Sequence, residues 1–150
     1  RLWLADFVWK WAAKGNPKTR NFVVQGEYLH RREEGDLIVQ GDDVLASGGY
    51  RGTQNGFYVQ AVYQFRPRWR AGLRYDRLGS DNSLSPLPAP LPLDDDGHEP
   101  SRVTLMIDFS NSEFSRLRLQ VAEDESLPES DTRVVLQYVM SLGAHGAHQF

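Results

Sequence analysis

Seven stretches of this chain alternate oily and polar side chains with a period of two, which confines them to extended strands with one apolar face. In the last, Val134, Leu136, Tyr138, Met140 and Leu142 fall opposite Arg133, Val135, Gln137, Val139 and Ser141. The phase is nearly perfect over 56–66, where Phe57, Val59, Ala61, Tyr63 and Phe65 oppose Tyr58, Gln60, Val62 and Gln64. Strands are expected at about 1–12, 19–32, 56–66, 68–78, 101–110, 114–123 and from 132 to the end. One such run also suits a soluble sandwich. Seven in succession suit the wall of a membrane-spanning β-barrel.

Bulk composition does not oppose this. A hydrophobic content of 40% and a net charge of -3 describe an ordinary single domain and give no reason to expect nucleic acid as a partner. No stretch reaches the roughly 18 apolar residues of a membrane helix, a test that strands of about 10 alternating residues escape. The absence of cysteine fits a protein that crosses an oxidising periplasm without disulfides.

The connectors alternate in length. Those near Lys14–Lys18, Arg66–Arg68 and Ser110–Glu113 are tight, marked by Gly, Asn, Pro or Ser, whereas those near 33–55, 79–100 and 124–131 are long. Outer-membrane barrels have this asymmetry, with short periplasmic turns and long external loops. Of the 20 acidic residues, 14 lie in the long connectors, among them Glu33, Glu34, Asp36, Asp81 and Asp124, and Glu123 borders one, while the short-turn side carries Lys14, Lys18, Arg20, Arg66, Arg68 and Arg70. Trp11, Tyr28, Phe65, Trp69, Tyr75 and Phe150 stand at strand ends, where half-wet rings form interfacial girdles.

These features predict an all-β fold: an antiparallel up-and-down transmembrane β-barrel segment of about seven strands, with short periplasmic turns and long extracellular loops. Arg1 opens directly into an alternating run, with no initiating Met and no signal peptide. Single-chain bacterial barrels have even strand numbers, so at least one further strand is expected. Residues 1–150 are thus expected to be the C-terminal portion of one outer-membrane β-barrel domain, whose N-terminal strands and any plug precede residue 1.

The tail from Gln137 to Phe150 resembles the closing strand of Gram-negative outer-membrane β-barrel proteins, which end in an aromatic residue read by the barrel assembly machinery. The stretches Phe22–Arg32 (FVVQGEYLHRR) and Gly56–Leu78 (GFYVQAVYQFRPRWRAGLRYDRL) also resemble porin-like or TonB-dependent-receptor-like proteins. The resemblance implies a cell outer membrane location in a Gram-negative bacterium and uptake of small solutes. It implies as partners the membrane lipid, the assembly machinery, the remaining strands of the barrel and a small-solute substrate. It makes Phe150 an assembly signal. Two alternatives stay open: a non-conducting structural or adhesive outer-membrane protein, and a soluble antiparallel β-sandwich binding module.

Sorting by parity gives candidates for the lumen lining: Glu27, Gln60, Gln64, Arg74, Asp76, Arg102, Asp108, Arg116, Arg118, Arg133 and Gln137, accompanied by Gln25, Arg70, Thr104 and Gln120. Guanidinium groups over water can recruit anions. They can equally pair with Glu27, Asp76 and Asp108 on neighbouring strands or with a plug, and pairing is the preferred reading, since a lumen residue need only be polar.

The loop Asp94, Asp95, Asp96, His98 and Glu99 is a candidate site for a divalent cation, its carboxylates suiting calcium and its imidazole zinc. No other cofactor is expected. His145 and His148 are three apart and point to opposite faces of a strand, so they do not chelate together. The run Ser83–Leu93, with Pro86, Pro88, Pro90 and Pro92, is expected to be extended polyproline-like chain. No nucleophile elbow, phosphate-cradling loop or paired ligand spacing is present, so an enzyme is not expected. If Phe150 is the assembly signal, Phe150→Asp should reduce outer-membrane insertion while sparing synthesis. Cell fractionation reads this out, and normal insertion would contradict the assignment.

Overall fold

The computed structural model of the protein describes residues 1–40, 45–85, 97–127 and 129–141. Seven strands run through them: β1 (Leu2–Ala12), β2 (Asn21–Gln40), β3 (Leu45–Arg66), β4 (Trp69–Ser85), β5 (Ser101–Ser112), β6 (Ser115–Glu125) and β7 (Asp131–Met140). Each pairs antiparallel with its sequence neighbour in one sheet of order β1-β2-β3-β4-β5-β6-β7. The expected strand number and up-and-down order are therefore present. The sheet is open, with β1 and β7 as its edges. Among the described residues the only helical element is a 3-10 turn at Ala13–Gly15.

The three short connectors are tight turns, each with local chemistry that fits. Between β1 and β2, Lys14 and Gly15 adopt positive φ, and the Asn16 side-chain oxygen accepts from the Lys18 amide at 3.0 Å. Between β3 and β4, Pro67 precedes Arg68 at φ 72°, so a proline with preset φ leads into a left-handed residue. Between β5 and β6, Ser112 Oγ accepts from the Phe114 amide at 3.2 Å.

The other ends differ from expectation. The long connector placed at 33–55 is mostly strand: β2 continues to Gln40 and β3 starts at Leu45, paired in register from Arg32↔Thr53 to Gln40↔Leu45. Likewise β4 reaches Ser85 and β6 reaches Glu125. Cross-strand and next-but-one polar pairs line this protruding hairpin, including Arg31 with Glu33, Arg32 with Glu34 at 2.9 Å and Arg51 with Glu34 at 3.2 Å. The hydrogen bond and charge of Arg32, with help from Arg51, hold the Glu34 carboxyl below its ordinary range. A hairpin with both faces in water needs no oily alternation, which is why the pattern read as loop.

Following the register across the sheet sorts the side chains. One row runs Trp9, Val24, Ala61, Leu73, Leu105, Val121, Val134, and the next on the same face runs Trp11, Phe22, Tyr63, Ala71, Ile107, Leu119, Leu136. The other face carries rows such as Asn21, Gln64, Arg70, Asp108, Arg118, Gln137. Exposure is inverted relative to a soluble protein. Leu105 is 58% exposed and Leu136 70%, whereas Asp108 and Asp124 are each 1% exposed, and among the described residues no hydrophobic side chain is buried. A curled sheet crowds side chains on its concave face and splays them on its convex face, so this sheet curls around its polar side. The accessible surface is 11373 Å². A compact soluble chain of 17.1 kDa would expose about 7,700 Å².

Aromatic contacts replace a core on the apolar face. Trp9 and Phe22 meet edge-on at 6.0 Å, Phe22 and Tyr63 at 6.1 Å, Phe57 and Tyr75 at 5.9 Å, and Trp69 and Phe109 lie 4.9 Å apart. Gly26 lets the Phe7 ring settle across the backbone of its paired strand: a Cβ there would lie 2.6 Å from the ring and 2.8 Å from the Tyr58 carbonyl oxygen. Gly26→Ala is therefore expected to lower unfolding stability by about 1–3 kcal/mol. Urea titration in micelles measures it, and an unchanged midpoint would show that the ring moves aside without cost.

Candidate functional site

The alternation that makes one face oily delivers all eleven predicted lumen residues to the other. Gln60 and Arg74 share a row with Arg133; Glu27, Asp76 and Arg102 share one with Tyr58 and Asp124; and Gln64, Asp108, Arg118 and Gln137 share a third with Arg70. Arg116 lies on the same face beside Ser110, its partner on β5. A hollow in this face is lined by Gln60, Arg74, Thr104, Asp108, Arg118 and Gln120.

Three ionic groupings organise the surface. Arg118 grips Asp108 in a two-pronged contact, Nε to Oδ1 at 2.7 Å and Nη2 to Oδ2 at 3.0 Å. Arg116 and Arg70 flank the same carboxylate at 3.6 Å and 4.0 Å. Arg74 makes a similar two-pronged contact with Asp76, at 2.6–2.9 Å, and its guanidinium carbon sits 4.0 Å over the Tyr58 ring. Near the long-strand end, Asp124 takes Arg102 at 2.6 Å and Arg133 at 3.2 Å, and accepts from the Ser126 amide at 3.0 Å.

The preferred pairing across neighbouring strands is present at Asp108, which takes Arg118 from β6, whereas Asp76 pairs with Arg74 of its own strand. Glu27, also named as a partner, lies in register with Tyr58, one row from Arg74, and takes no part in these pairs. Asp124 is the residue that sequence reasoning missed. The acidic composition groups it with the loops, yet it is the penultimate residue of β6, on the polar face, and anchors two arginines. Continuing the even-numbered parity of Arg116, Arg118 and Gln120 by two more steps would have found it.

Of the cation loop, Asp94, Asp95 and Asp96 lie outside the described residues, as do His145, His148, Phe150 and the proline run from Pro86. Glu99 is engaged by Arg77, and His98 Nε2 lies 3.1 Å from the Glu125 carbonyl oxygen. Among the described residues no group of three or more His, Cys, Asp or Glu side chains converges to hold a metal ion.

No family model matches the chain, and no solved structure matches it. An uncharacterized protein of Aquifex aeolicus (strain VF5) is 32% identical over 136 residues. The match covers 87% of this chain and 27% of that protein, so the chain spans about a quarter of its relative's length.

The packing around Asp108 sets an order of costs. Arg118→Met leaves a carboxylate of 1% exposure without its two-pronged partner and should destabilise by about 2–4 kcal/mol. Arg32→Met, which breaks a solvent-exposed pair, should cost under about 1 kcal/mol. Urea unfolding of both variants in micelles measures the difference, and equal costs would refute the ranking.

Proposed function

We propose that the chain forms part of the wall of an outer-membrane β-barrel that takes up small solutes in a Gram-negative bacterium. Its apolar face lies against lipid and its polar face against water. The observation that carries this reading is the shape of the exposed apolar band. At the long-strand end its limit is Trp3 on β1, Tyr28 and Phe57 on β2 and β3, Tyr75 and Val103 on β4 and β5, and Val121 and Val134 on β6 and β7. The limit therefore climbs about one residue per strand across the sheet.

A stagger of about 3.4 Å against a strand spacing of about 4.8 Å corresponds to strands tilted about 35° from the normal to the band. The turn-end limit, from Trp11 to Met140, climbs more slowly and gives about 25°. Barrel strands tilt by about 35–45° in a membrane, and a soluble sheet has no reason to keep an oblique band. On every strand but β6 the band spans seven to nine residues, about 20–27 Å along the strand and about 17–22 Å along the normal at a tilt of about 35°, against the roughly 25 Å apolar height of a barrel wall. Rings concentrate at its limits: Trp11, Phe22, Tyr63, Trp69, Phe109 and Tyr138 at one, Trp3, Tyr28, Phe57 and Tyr75 at the other. The open edges β1 and β7 fit pairing with further strands of the same barrel, because an unpaired edge in lipid costs several kcal/mol per stranded group.

The polar face suits a wet lumen, and the protruding β2–β3 hairpin suits the external side. A non-conducting structural wall draws support from Arg74, Arg102, Arg118 and Arg133 being tied to aspartates rather than left free for a solute.

Two measurements test the reading. Leu105→Arg, at the centre of the apolar band, should cost about 2–4 kcal/mol of stability in a bilayer, and Thr104→Arg, its neighbour on the other face, far less. Equal costs would refute the lipid-facing assignment. Planar-bilayer recordings of the whole barrel, with both edges paired to further strands, should show channels, whereas their absence would leave the structural wall.

A further inference from the structure

We propose that Arg70, Arg116 and Ser110 form a binding site for a small oxyanion of the phosphate class, on the polar face near the short-turn end. Three guanidinium groups surround one carboxylate there, and one of them takes both of its oxygens. Arg118 takes both Asp108 oxygens at 2.7 Å and 3.0 Å. Arg116 at 3.6 Å and Arg70 at 4.0 Å are close enough to be held by its charge but too far to hydrogen-bond to it. Each guanidinium carries five donors in a fixed fork.

The donors left over are concrete. Arg116 Nε is shielded from solvent and has no hydrogen-bond partner among the described residues. Arg70 makes a single side-chain hydrogen bond here, from Nη2 to the Ser110 hydroxyl oxygen at 3.3 Å, which leaves the Ser110 proton to be donated onward. Ser110 pairs with Arg116 across β5 and β6, while Arg70 reaches it from β4. Two forks from β4 and β6 thus stand within 4.0 Å of the same Asp108 oxygen, with a β5 hydroxyl 3.3 Å from one of them.

The local charge is three positive against one negative. A tetrahedral oxyanion would offset the excess and accept from both forks, a geometry that guanidinium matches better than ammonium does. Arg118 and Asp108 are positioning residues in this arrangement: their mutual grip fixes the plane beside which the other two arginines stand. The opposite end of the same face has no such surplus, because Asp76, Asp124 and Asp131 there meet Arg74, Arg102 and Arg133.

The proposal rests on the reading that the polar face meets water, and the two fail separately. The sequence holds no cysteine, so Gln120→Cys gives a single thiol on the polar face beside the cluster. A charged thiol reagent should label it in the bilayer-reconstituted protein, and no labelling would overturn both the wet face and the site.

Calorimetric titration of the protein in non-ionic detergent with inorganic phosphate should show saturable binding. Arg70→Gln and Arg116→Gln should each weaken it about tenfold or more, while Arg32→Gln should leave it unchanged. Labelling at position 120 together with no phosphate binding, or with binding indifferent to both arginine variants, would overturn the site alone. A parallel titration with short-chain phosphatidic acid separates the sources. Tighter binding of the lipid than of phosphate assigns the site to a headgroup, and equal or weaker binding assigns it to a free solute.

Discussion

The ladder of backbone hydrogen bonds between sequence neighbours is what the rest of this molecule depends on. A soluble domain holds its strands together with a buried apolar core as well, but here none of the described hydrophobic side chains is buried. Integrity comes from main-chain pairing and from the side-chain contacts that pairing permits across each strand boundary. The Trp69–Phe109 contact and the Arg118–Asp108 grip exist only because the register sets those residues opposite or diagonal to one another. A slip of one residue would send every tryptophan and leucine of a strand to the polar side.

That dependence explains the division of labour between the faces. On the apolar side the contacts are broad, nondirectional and leave large areas uncovered, which in the proposed wall is where lipid completes the packing. On the polar side, burial is achieved by charge pairing: Asp108 and Asp124 reach 1% exposure because arginines close over them. Polar side chains crowd on one face and oily ones splay on the other, an arrangement that the proposed wall sets between water and lipid.

Most of the architecture was legible in the residues, and the omissions have physical causes. Parity recovered the strand faces from Trp3 to Tyr138 and brought the eleven polar candidates to one surface, because a two-residue period is imposed by strand geometry itself. The turns at Asn16, Pro67 and Ser112 were legible because Asn, Pro and Ser have specific local chemistry. The outer half of the β2–β3 hairpin escaped because period-two contrast vanishes when both faces are wet. Asp124 escaped because it sits where the oily face has already ended at Val121, although the polar face has not. The arrangement around Asp108 was legible only as an excess of arginine. Which guanidinium takes the carboxylate, and which are left over, depends on distances that no spacing rule supplies.

Each strand here pairs only with the strands that precede and follow it in the chain. Such a wall has no crossing connections to rethread, so a hairpin can be inserted, deleted or copied without disturbing the topology of the remainder. The circumference of any cylinder built this way is a count of repeated hairpins, and its bore can change by whole units through duplication of a short stretch of gene.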